Sequence, residues 1–341
     1  MAKILILGAG SMSAAFSFPC IDNSHKVSIV GTHLEDDFID SIKSNKNIHP
    51  ILKSKIPNNV RLYKFKDFNL VLNNCELIVI GVSSKGINWA AKQLTKIKNN
   101  QQILVLTKGL NVNKKNKYEA YSKTIENTLL KKGIKNSKIS IAAGPCLAAD
   151  LSKKVLTNVV FANKDISVVE YLSKILSTSY YHIKCSDDVV GVGACGGIKN
   201  IYAMVVGASM GINLTNEKDN KNLNTAAALF NQSILEMSYF IKKIGGKEST
   251  VKDLAGIGDL YVSCTGGRNS KMGKFIGMGM TYKQAKNTKM PNDTVEGADL
   301  IFEIGKKIVK DFSVKELPLM ISFIKALINN TKFKIDKKFF V

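Results

Sequence analysis

The sequence predicts two domains: an α/β domain with a doubly wound parallel sheet over residues 1–187, and an all-α domain over residues 188–341. Two observations support this division. In the first part, short β-branched or leucine-rich runs alternate with amphipathic segments such as GINWAAKQLTKI, which is typical of parallel βαβ units. After about residue 186, apolar residues recur at helical spacing, as in GADLIFEIGKKIVKDF. A chain of 341 residues is long enough for two hydrophobic cores.

Apolar runs in the first half predict the strands of the sheet. They are residues 3–7, 27–30, 77–82, 103–106 and 139–143. Each is short, and several end in Gly, Ser or Lys-Gly, as strands that enter tight turns do. Two later runs, 158–162 and 180–184, are candidates to extend the sheet. A polar stretch over residues 213–224 is predicted to be a loop between two helices.

The stretch GAGSMS, Gly8 to Ser13, follows the first predicted strand and opens a helix of small residues. In this context it matches a dinucleotide fingerprint, in which Gly8 makes the tight turn and Gly10 lets the backbone approach a pyrophosphate. Ser13 stands where the fingerprint has its third glycine, and it is small enough for helix–strand packing. The first domain is therefore predicted to be Rossmann-like and to bind NAD or NADP. Pro19 is expected to end or kink the first helix after about two turns.

The end of the second strand leaves the choice between NAD and NADP open. An acid about 20 residues after the fingerprint binds the ribose 2′-hydroxyl of NAD, whereas an arginine accommodates the 2′-phosphate of NADP. Here Thr32 and His33 occupy the position, and the first acid, Glu35, comes too late in the chain. No arginine lies nearby. We therefore expect Thr32 at the cofactor.

Composition favours a cytoplasmic protein that binds a small anion. The net charge is +22, but the lysines are spread along the chain rather than clustered, so we expect no nucleic-acid partner. The positive field still helps to attract an anionic substrate. The six cysteines form no CxxC pair and have no histidine at ligand spacing, which predicts no metal site and a reducing compartment. No run reaches ~18 apolar residues, so no membrane span is predicted.

The catalytic acid is predicted to be a lysine. Nicotinamide dehydrogenases need a proton donor beside the hydride site, and the four histidines lie in loops or strand ends that suit this role poorly. Lys108 lies in LTKGL, just after a strand, and Lys199 lies in GGIKNIYAM, on an apolar helix. Asp259 precedes Arg268 by nine residues in GIGDL and TGGRN. A buried lysine, or one beside other cations, exchanges its proton closer to neutral pH.

In their order and spacing, these motifs resemble those of the soluble NAD(P)-dependent glycerol-3-phosphate dehydrogenase family. The resemblance covers most of the chain and rests on GAG, the KG loop, GPCLAAD, KN, NTAAALF with LEM, GIGDL, GGRN and VEG. It implies an enzyme that interconverts sn-glycerol 3-phosphate and dihydroxyacetone phosphate with NAD(P)(H) and feeds glycerophospholipid synthesis. A small phosphorylated substrate is the expected partner, and a homodimer is a possible assembly.

The resemblance also implies a role for each matched residue. Lys199 would be the proton donor and acceptor, Asn200 and Asp259 would orient it and the substrate, and Arg268 with Asn269 would hold the phosphate. The other substrate-binding residues would be Lys108, Gly144, Cys146, Ser263 and Gly267. Cofactor-binding residues would be Gly8, Gly10, Ser11, Met12, Thr32, Lys108, Ala148, Arg268 and Glu296.

Arg268 is also unusual by composition. Only two of the 49 basic residues are arginines, Arg61 and Arg268, and we assign no role to Arg61. A planar guanidinium grips two phosphate oxygens in a fixed fork, which a lysine cannot do. This favours Arg268 as the phosphate ligand.

Departures from the family pattern fall on the cofactor side, at Met12, Ser13, Ser83 and Cys146. They leave two alternatives open. One is a protein that binds NAD(P) as a sensor without turnover, and the other is a dehydrogenase for another small phosphorylated ketone. The intact lysine, aspartate and arginine positions favour an enzyme over the sensor and leave the choice of ketone open.

Overall fold

A computed structural model describes residues 1–97, 101–135, 138–212 and 222–340. The chain forms two compact units. The N-terminal unit comprises Met1–Lys108 and Glu119–Gly193, and the C-terminal unit comprises Gly109–Tyr118 and Ala194–Val341. The chain thus leaves the first unit for ten residues, 109–118, before its final passage into the second. Most of the loop predicted over residues 213–224 lies outside the described residues.

An eight-stranded sheet forms the centre of the N-terminal unit, and its strand order is β10-β9-β8-β5-β4-β1-β2-β3. The strands are β1 Lys3–Leu7, β2 Lys26–Val30, β3 Arg61–Tyr63, β4 Leu77–Ile80, β5 Gln102–Val105, β8 Lys138–Ala143, β9 Thr157–Ala162 and β10 Tyr181–Ser186. All neighbours run parallel except β8 and β9. Every apolar run that the sequence analysis singled out lies in this sheet, including both candidates for its extension. The predicted doubly wound α/β fold is confirmed.

Helices connect these strands. They are α1 Ser11–Asp22, α2 Asp36–Ser44, α3 Phe68–Asn73, α4 Ile87–Gln93, α5 Tyr121–Leu130, α6 Ala148–Ser152 and α7 Ile166–Leu176. Of the two expected effects of Pro19, an end to the first helix does not occur, because α1 continues through Pro19 to Asp22. Pro19 removes one backbone hydrogen-bond donor from the helix. Burial of Ala14, Ala15 and Phe16 in the core offsets the cost of that lost hydrogen bond.

The C-terminal unit is helical. Its helices are α8 Val189–Gly211, which begins in the N-terminal unit, α9 Leu223–Lys243, α10 Glu248–Val251, α11 Asp259–Gly266, α12 Arg268–Gly277, α13 Tyr282–Lys289, α14 Glu296–Asp311 and α15 Pro318–Ile328. No strand occurs in the described residues after 188, as the sequence predicts. The small hairpin of β6 Leu110–Val112 and β7 Tyr118–Ala120 was not predicted, and β6 belongs to this unit.

Glycines bring α8 and α12 into close contact. A Cβ at Gly207 would lie 2.4 Å from the carbonyl oxygen of Ser270, and one at Gly211 would lie 2.0 Å from that of Lys274. On α12, a Cβ at Gly273 would lie 2.1 Å from a carbonyl oxygen of α8, and one at Gly277 would lie 1.9 Å from another. The two backbones therefore touch, and this contact fixes the start of α12 relative to the middle of α8.

By length and composition alone, α8 could cross a membrane. However, 83% of its most apolar stretch is buried inside the protein. Its glycines pack against another helix of the same chain, and a core helix has these properties.

Candidate functional site

The turn between β1 and α1 has the geometry of a pyrophosphate-binding loop. Gly8 has a φ of +101°, and a Cβ there would lie 3.0 Å from the carbonyl oxygen of Gly81, so only glycine fits. At Gly10 a Cβ would meet nothing within 4 Å, which leaves open space beside the backbone. Helix α1 begins at Ser11 without a side-chain cap. Its first N–H groups have no partner within the helix and can bind an anion.

The serine in the third fingerprint position is compensated by a glycine on another strand. Ser13 is fully buried, and its hydroxyl donates to the carbonyl oxygen of Gly81 at 3.3 Å. A Cβ at Gly81 would lie 2.0 Å from the Ser13 hydroxyl oxygen. The space that the fingerprint glycine normally leaves empty is therefore made at the end of β4 instead. Helix α1 still packs closely on the sheet.

Glu35, which the sequence placed too late in the chain to reach the cofactor, lies against the turn. Its Oε2 accepts a hydrogen bond from the backbone N–H of Ala9 at 3.1 Å and one from that of Thr32 at 2.8 Å. A turn from Thr32 to Glu35, closed by a backbone hydrogen bond of 2.9 Å, folds the carboxylate back toward the ends of β1 and β2. Counting residues along the chain did not predict this position, because the turn shortens the distance in space.

His49 holds the other side of the same peptide. Its Nδ1 accepts from the backbone N–H of Leu52 at 3.0 Å, so Nε2 carries the proton and donates to the carbonyl oxygen of Ala9 at 2.9 Å. Burial lowers the pKa of His49, and its bond to Ala9 offsets part of that effect. Both polar groups of Ala9 are thus fixed, one by Glu35 and one by His49. Sequence reasoning missed both residues.

Three aromatic rings lie beside this turn, at the carboxyl ends of neighbouring strands. The centroid of the Trp89 ring is 4.8 Å from that of His33 and 5.1 Å from that of Phe65. His33 follows β2, Phe65 follows β3, and Trp89 lies on α4 after β4. Flat apolar surface at this edge of a doubly wound sheet suits a nucleobase.

Two predicted substrate-binding positions of the N-terminal unit contact each other. Lys108 follows β5, and its Nζ donates to the carbonyl oxygen of Gly144, after β8, at 2.8 Å. Gly144 has a φ of +110°, and a Cβ there would lie 3.1 Å from the Cα of Val159. The lysine is thereby held at the carboxyl edge of the sheet. Three further predicted residues, Met12, Cys146 and Ala148, are half-buried against the core under the turn.

In the C-terminal unit, Lys199 of α8 forms a buried ion pair. Its Nζ contacts Oδ1 of Asp259 and donates to the hydroxyl of Ser263 at 2.7 Å. The side chains of Lys199 and Asp259 are only 7% and 3% exposed. A π-helical turn over Leu254–Gly258 runs straight into α11, so Asp259 faces α8 instead of capping a helix. The carboxylate compensates an ammonium charge that would be costly to bury alone.

Asn269 joins three elements of this unit. Its amide nitrogen donates to Oδ1 of Asn200 at 3.0 Å and to Oε2 of Glu296 at 3.3 Å, and its oxygen accepts from the backbone N–H of Gly297 at 2.9 Å. The residue is only 5% exposed. Its amide is therefore fully engaged within the protein, which connects α8, α12 and the start of α14.

Arg268 is the first residue of α12, directly after Gly267. Its Nη2 pairs with Oε1 of Glu296, and its side chain is 53% exposed. Helix α12 has no side-chain cap, so its first N–H groups have no partner within the helix. A helix N-terminus and an arginine side chain are both groups that can bind a phosphate. Among the described residues there is no cluster of His, Cys, Asp or Glu that could hold a metal ion.

The residues of the N-terminal unit fit a dinucleotide. The positive-φ glycine, the open space at Gly10 and the uncapped helix suit a pyrophosphate, and Glu35 and the aromatic rings suit the adenosine end. Of the predicted cofactor residues, Gly8, Gly10, Ser11, Met12 and Thr32 lie at the ends of β1 and β2, whereas Lys108 follows β5 and Ala148 follows β8. Arg268 and Glu296 belong to the C-terminal unit.

Several known proteins are similar to this chain. The NADP(+)-dependent glycerol-3-phosphate dehydrogenase of Archaeoglobus fulgidus is 28% identical over 282 residues, 83% of this chain and 82% of the relative. A glycerol-3-phosphate dehydrogenase [NAD(P)+] of Clostridium botulinum is 27% identical over 330 residues, 95% of this chain and 94% of the relative.

Solved structures share the fold. The glycerol-3-phosphate dehydrogenase of Coxiella burnetii superposes with a TM-score of 0.81 at 24% identity, over 97% of this chain and 96% of the other. The yeast enzyme, from Saccharomyces cerevisiae, gives 0.80 at 19% identity, over 97% of each chain. Residues 3–169 match the family described as NAD-dependent glycerol-3-phosphate dehydrogenase N-terminus, and residues 188–335 match its C-terminus. The chain belongs to the NAD-dependent glycerol-3-phosphate dehydrogenase family.

Proposed function

We propose that this chain interconverts sn-glycerol 3-phosphate and dihydroxyacetone phosphate with NAD(P)(H), and that Lys199 moves the proton. The observation that carries the assignment is the buried pair of Lys199 and Asp259 with Ser263 beside it. A lysine buried against a carboxylate and a hydroxyl is held in one orientation, which general acid–base catalysis requires. The same arrangement argues against a sensor without turnover, because binding a nucleotide needs no buried lysine.

Lys199 has two functions in this reaction. Reduction of the ketone places negative charge on its oxygen, and the ammonium stabilises that charge and then gives up a proton to it. In the reverse direction, the neutral amine takes the proton from the alcohol. Asp259 and Ser263 keep the nitrogen in place throughout. When bound, the nicotinamide cofactor supplies the hydride for reduction and accepts it for oxidation.

Arg268 binds the substrate phosphate together with the first N–H groups of α12. The guanidinium has five N–H donors in a fixed plane, so it can stay paired with Glu296 and still bind phosphate oxygens. Gly267 has no side chain to cover the site. Binding energy from the phosphate positions the ketone for reaction, since this group does not itself react.

Asn269 acts as a positioning residue for this phosphate site. Both of its amide donors and its oxygen already bond protein groups, and these bonds tie Asn200 on α8 to Glu296 on α14. Direct phosphate binding by its side chain, as the motif predicts, would break that network. Its contribution is therefore to orient Asn200 and Glu296, while its backbone N–H belongs to the α12 terminus.

The remaining assignments follow from the reaction. Lys108, held on Gly144, is the second cation for the substrate and cofactor. The product, a glycerol carrying one phosphate, serves glycerophospholipid synthesis in the cytoplasm. A homodimer remains the expected assembly, and a size measurement in solution would test it.

Turnover with dihydroxyacetone phosphate tests the proposal. The purified protein is incubated with NADH or NADPH, and the absorbance of the reduced cofactor is followed with and without the ketone. We expect oxidation that depends on dihydroxyacetone phosphate. A panel of phosphorylated three- and four-carbon ketones then decides whether another ketone is preferred. The absence of a rate with either cofactor would remove the enzyme assignment.

Lys199→Ala tests the role of the lysine, and Lys307→Met is its matched control. Lys307 lies in the same unit, is 13% exposed and pairs with Asp311 at 2.7 Å. We expect Lys199→Ala to abolish turnover and to leave the dissociation constant of NADH nearly unchanged, whereas Lys307→Met retains turnover. Substantial activity in folded Lys199→Ala would show that another group is the acid.

A further inference from the structure

We propose that Glu35 makes this chain select NAD(H) over NADP(H). This inference rests on the proposed function, because it concerns the cofactor of that reaction. In doubly wound folds, the ribose hydroxyls of the adenosine lie at the end of the second strand, and a carboxylate there accepts from the 2′-hydroxyl. The Glu35 carboxylate lies at that place, since it bonds Thr32 after β2 and Ala9 in the pyrophosphate turn.

The carboxylate has an oxygen left for the ribose. Both backbone donors bond Oε2, and among the described residues none donates to Oε1. Two hydrogen bonds from fixed peptide groups also prevent the side chain from swinging away when a ligand arrives. A 2′-phosphate would therefore bring its negative charges against a carboxylate that cannot retreat, and like charges at this distance repel strongly.

The residues next to Glu35 in the chain are also negatively charged. Residues 31–40 contain four acids and no lysine or arginine, in a chain whose net charge is +22. The nearby cation Lys64 is already paired with Asp40 at 2.5 Å. A site for a 2′-phosphate needs a free cation, and this stretch is instead one of the few strongly acidic parts of the chain.

The start of α2 adds to the effect. A helix N-terminus attracts phosphate, so α2 could otherwise offer a site for NADP next to β2. Here Glu35 is the residue before the helix, and Asp36 and Asp37 fill its first turn. Oδ1 of Asp36 accepts from the backbone N–H of Phe65 at 3.1 Å, which holds that acid in place too. The positive end of the helix dipole is therefore neutralised by side chains.

Equilibrium binding in the absence of the ketone tests this proposal independently of turnover. The dissociation constants of NADH and NADPH are measured by calorimetry and by the fluorescence of Trp89, the single tryptophan, which contacts His33 next to Thr32. ADP-ribose and its 2′-phosphate repeat the comparison without the nicotinamide. We expect wild-type protein to bind NADH, and ADP-ribose, at least about tenfold more tightly than the 2′-phosphorylated partner.

Glu35→Gln should reduce the ratio of the NADPH to the NADH dissociation constant about tenfold, mainly because NADPH binds more tightly. The amide keeps an acceptor for the N–H groups of the turn but loses the negative charge. Asp37→Asn is the matched control: it removes the same charge from an exposed side chain in the first turn of α2, where solvent screens it, and should change the ratio much less than Glu35→Gln does. Binding of ADP-ribose to each variant reports that the site is folded.

The outcomes separate the two claims. Wild-type protein that binds NADPH as tightly as NADH, while turning over the ketone, overturns the role of Glu35 and leaves the enzyme assignment intact. An unchanged ratio in folded Glu35→Gln, or an equal change in Asp37→Asn, also overturns it. If wild-type protein binds neither nucleotide, both the role of Glu35 and the assignment of NAD(P)(H) as the cofactor are wrong. The wild-type ratio needs no variant, so the test stands even if Glu35→Gln does not fold.

Discussion

Replacing Asp259 with asparagine should destabilise the C-terminal unit far more than a typical surface charge change. Asp259→Asn keeps the size of the side chain and removes its charge, so the buried Lys199 ammonium loses the carboxylate that it contacts. Removing one partner of a buried pair costs about 3–5 kcal/mol. The Ser263 hydroxyl still accepts a hydrogen bond from Lys199, and such a bond is worth about 1 kcal/mol. We therefore expect a loss near the lower end, about 3 kcal/mol.

Urea unfolding followed by circular dichroism measures this loss, with a constant slope as evidence that the unfolded state has not changed. Glu248→Gln is the control, because Glu248 pairs with Lys242 at 2.8 Å but the two side chains are 40% and 70% exposed. An exposed pair contributes little, so this variant should unfold almost as the wild type does.

A double variant separates the effect of charge from that of packing. Lys199→Met with Asp259→Leu contains no buried charge and should recover most of the stability that Asp259→Asn loses, although it has no turnover. If Asp259→Asn unfolds at the same urea concentration as Glu248→Gln, the buried pair does not contribute to stability as we infer. A double variant less stable than Asp259→Asn would show that packing, and not charge, sets the cost.

Three further predictions address other parts of the molecule. Gly273→Ala should lower the unfolding temperature by several degrees, because its Cβ would lie 2.1 Å from a carbonyl oxygen of α8, whereas Gly266→Ala, with nothing within 4 Å, should not. Arg268→Lys should raise the apparent KM for dihydroxyacetone phosphate strongly and change NADH binding much less; an unchanged KM would show that charge alone suffices. The free energy of unfolding should fall as the pH falls below 6.5, because the unfolded His49 takes up a proton before the folded one does, and His49→Asn should remove that component. An identical pH dependence in His49→Asn would contradict this last expectation.

The sheet could be predicted because most of its strands are buried on both faces. Such strands appear in the sequence as continuous apolar runs, and all seven runs that were singled out are strands. The missed strand, β3, has three residues and lies at the edge of the sheet. Its first residue, Arg61, is exposed, so the segment has no apolar run to reveal it. The strands of the β6–β7 hairpin are equally short, with three residues each.

Motif residues that stay close in the chain could also be predicted. The turn from Gly8 to Ser13 follows from a local motif, whereas Lys199 and Asp259 are 60 residues apart and their association follows from the family resemblance. The family, the enzyme class and NAD(P) as cofactor are confirmed by the relatives. Glu35 and His49 were missed for one reason: each acts on Ala9 across 26 or 40 residues of chain, through turns whose closure no pattern in the sequence announces.

Arg268 and Asn269 are adjacent in the sequence, but the structure gives them different surroundings. From the sequence, Arg268 and Asn269 form one phosphate-binding pair. In the structure the two neighbours differ, since Asn269 is buried with its amide fully bonded and Arg268 is half exposed. Glu296 connects them, because one of its oxygens pairs with Arg268 and the other accepts from Asn269. A lysine could neutralise Glu296 or bind a phosphate, but a single ammonium could not do both in a fixed plane. The chain has lysine at 47 of its 49 basic positions, and under the proposed function this double requirement accounts for the arginine here.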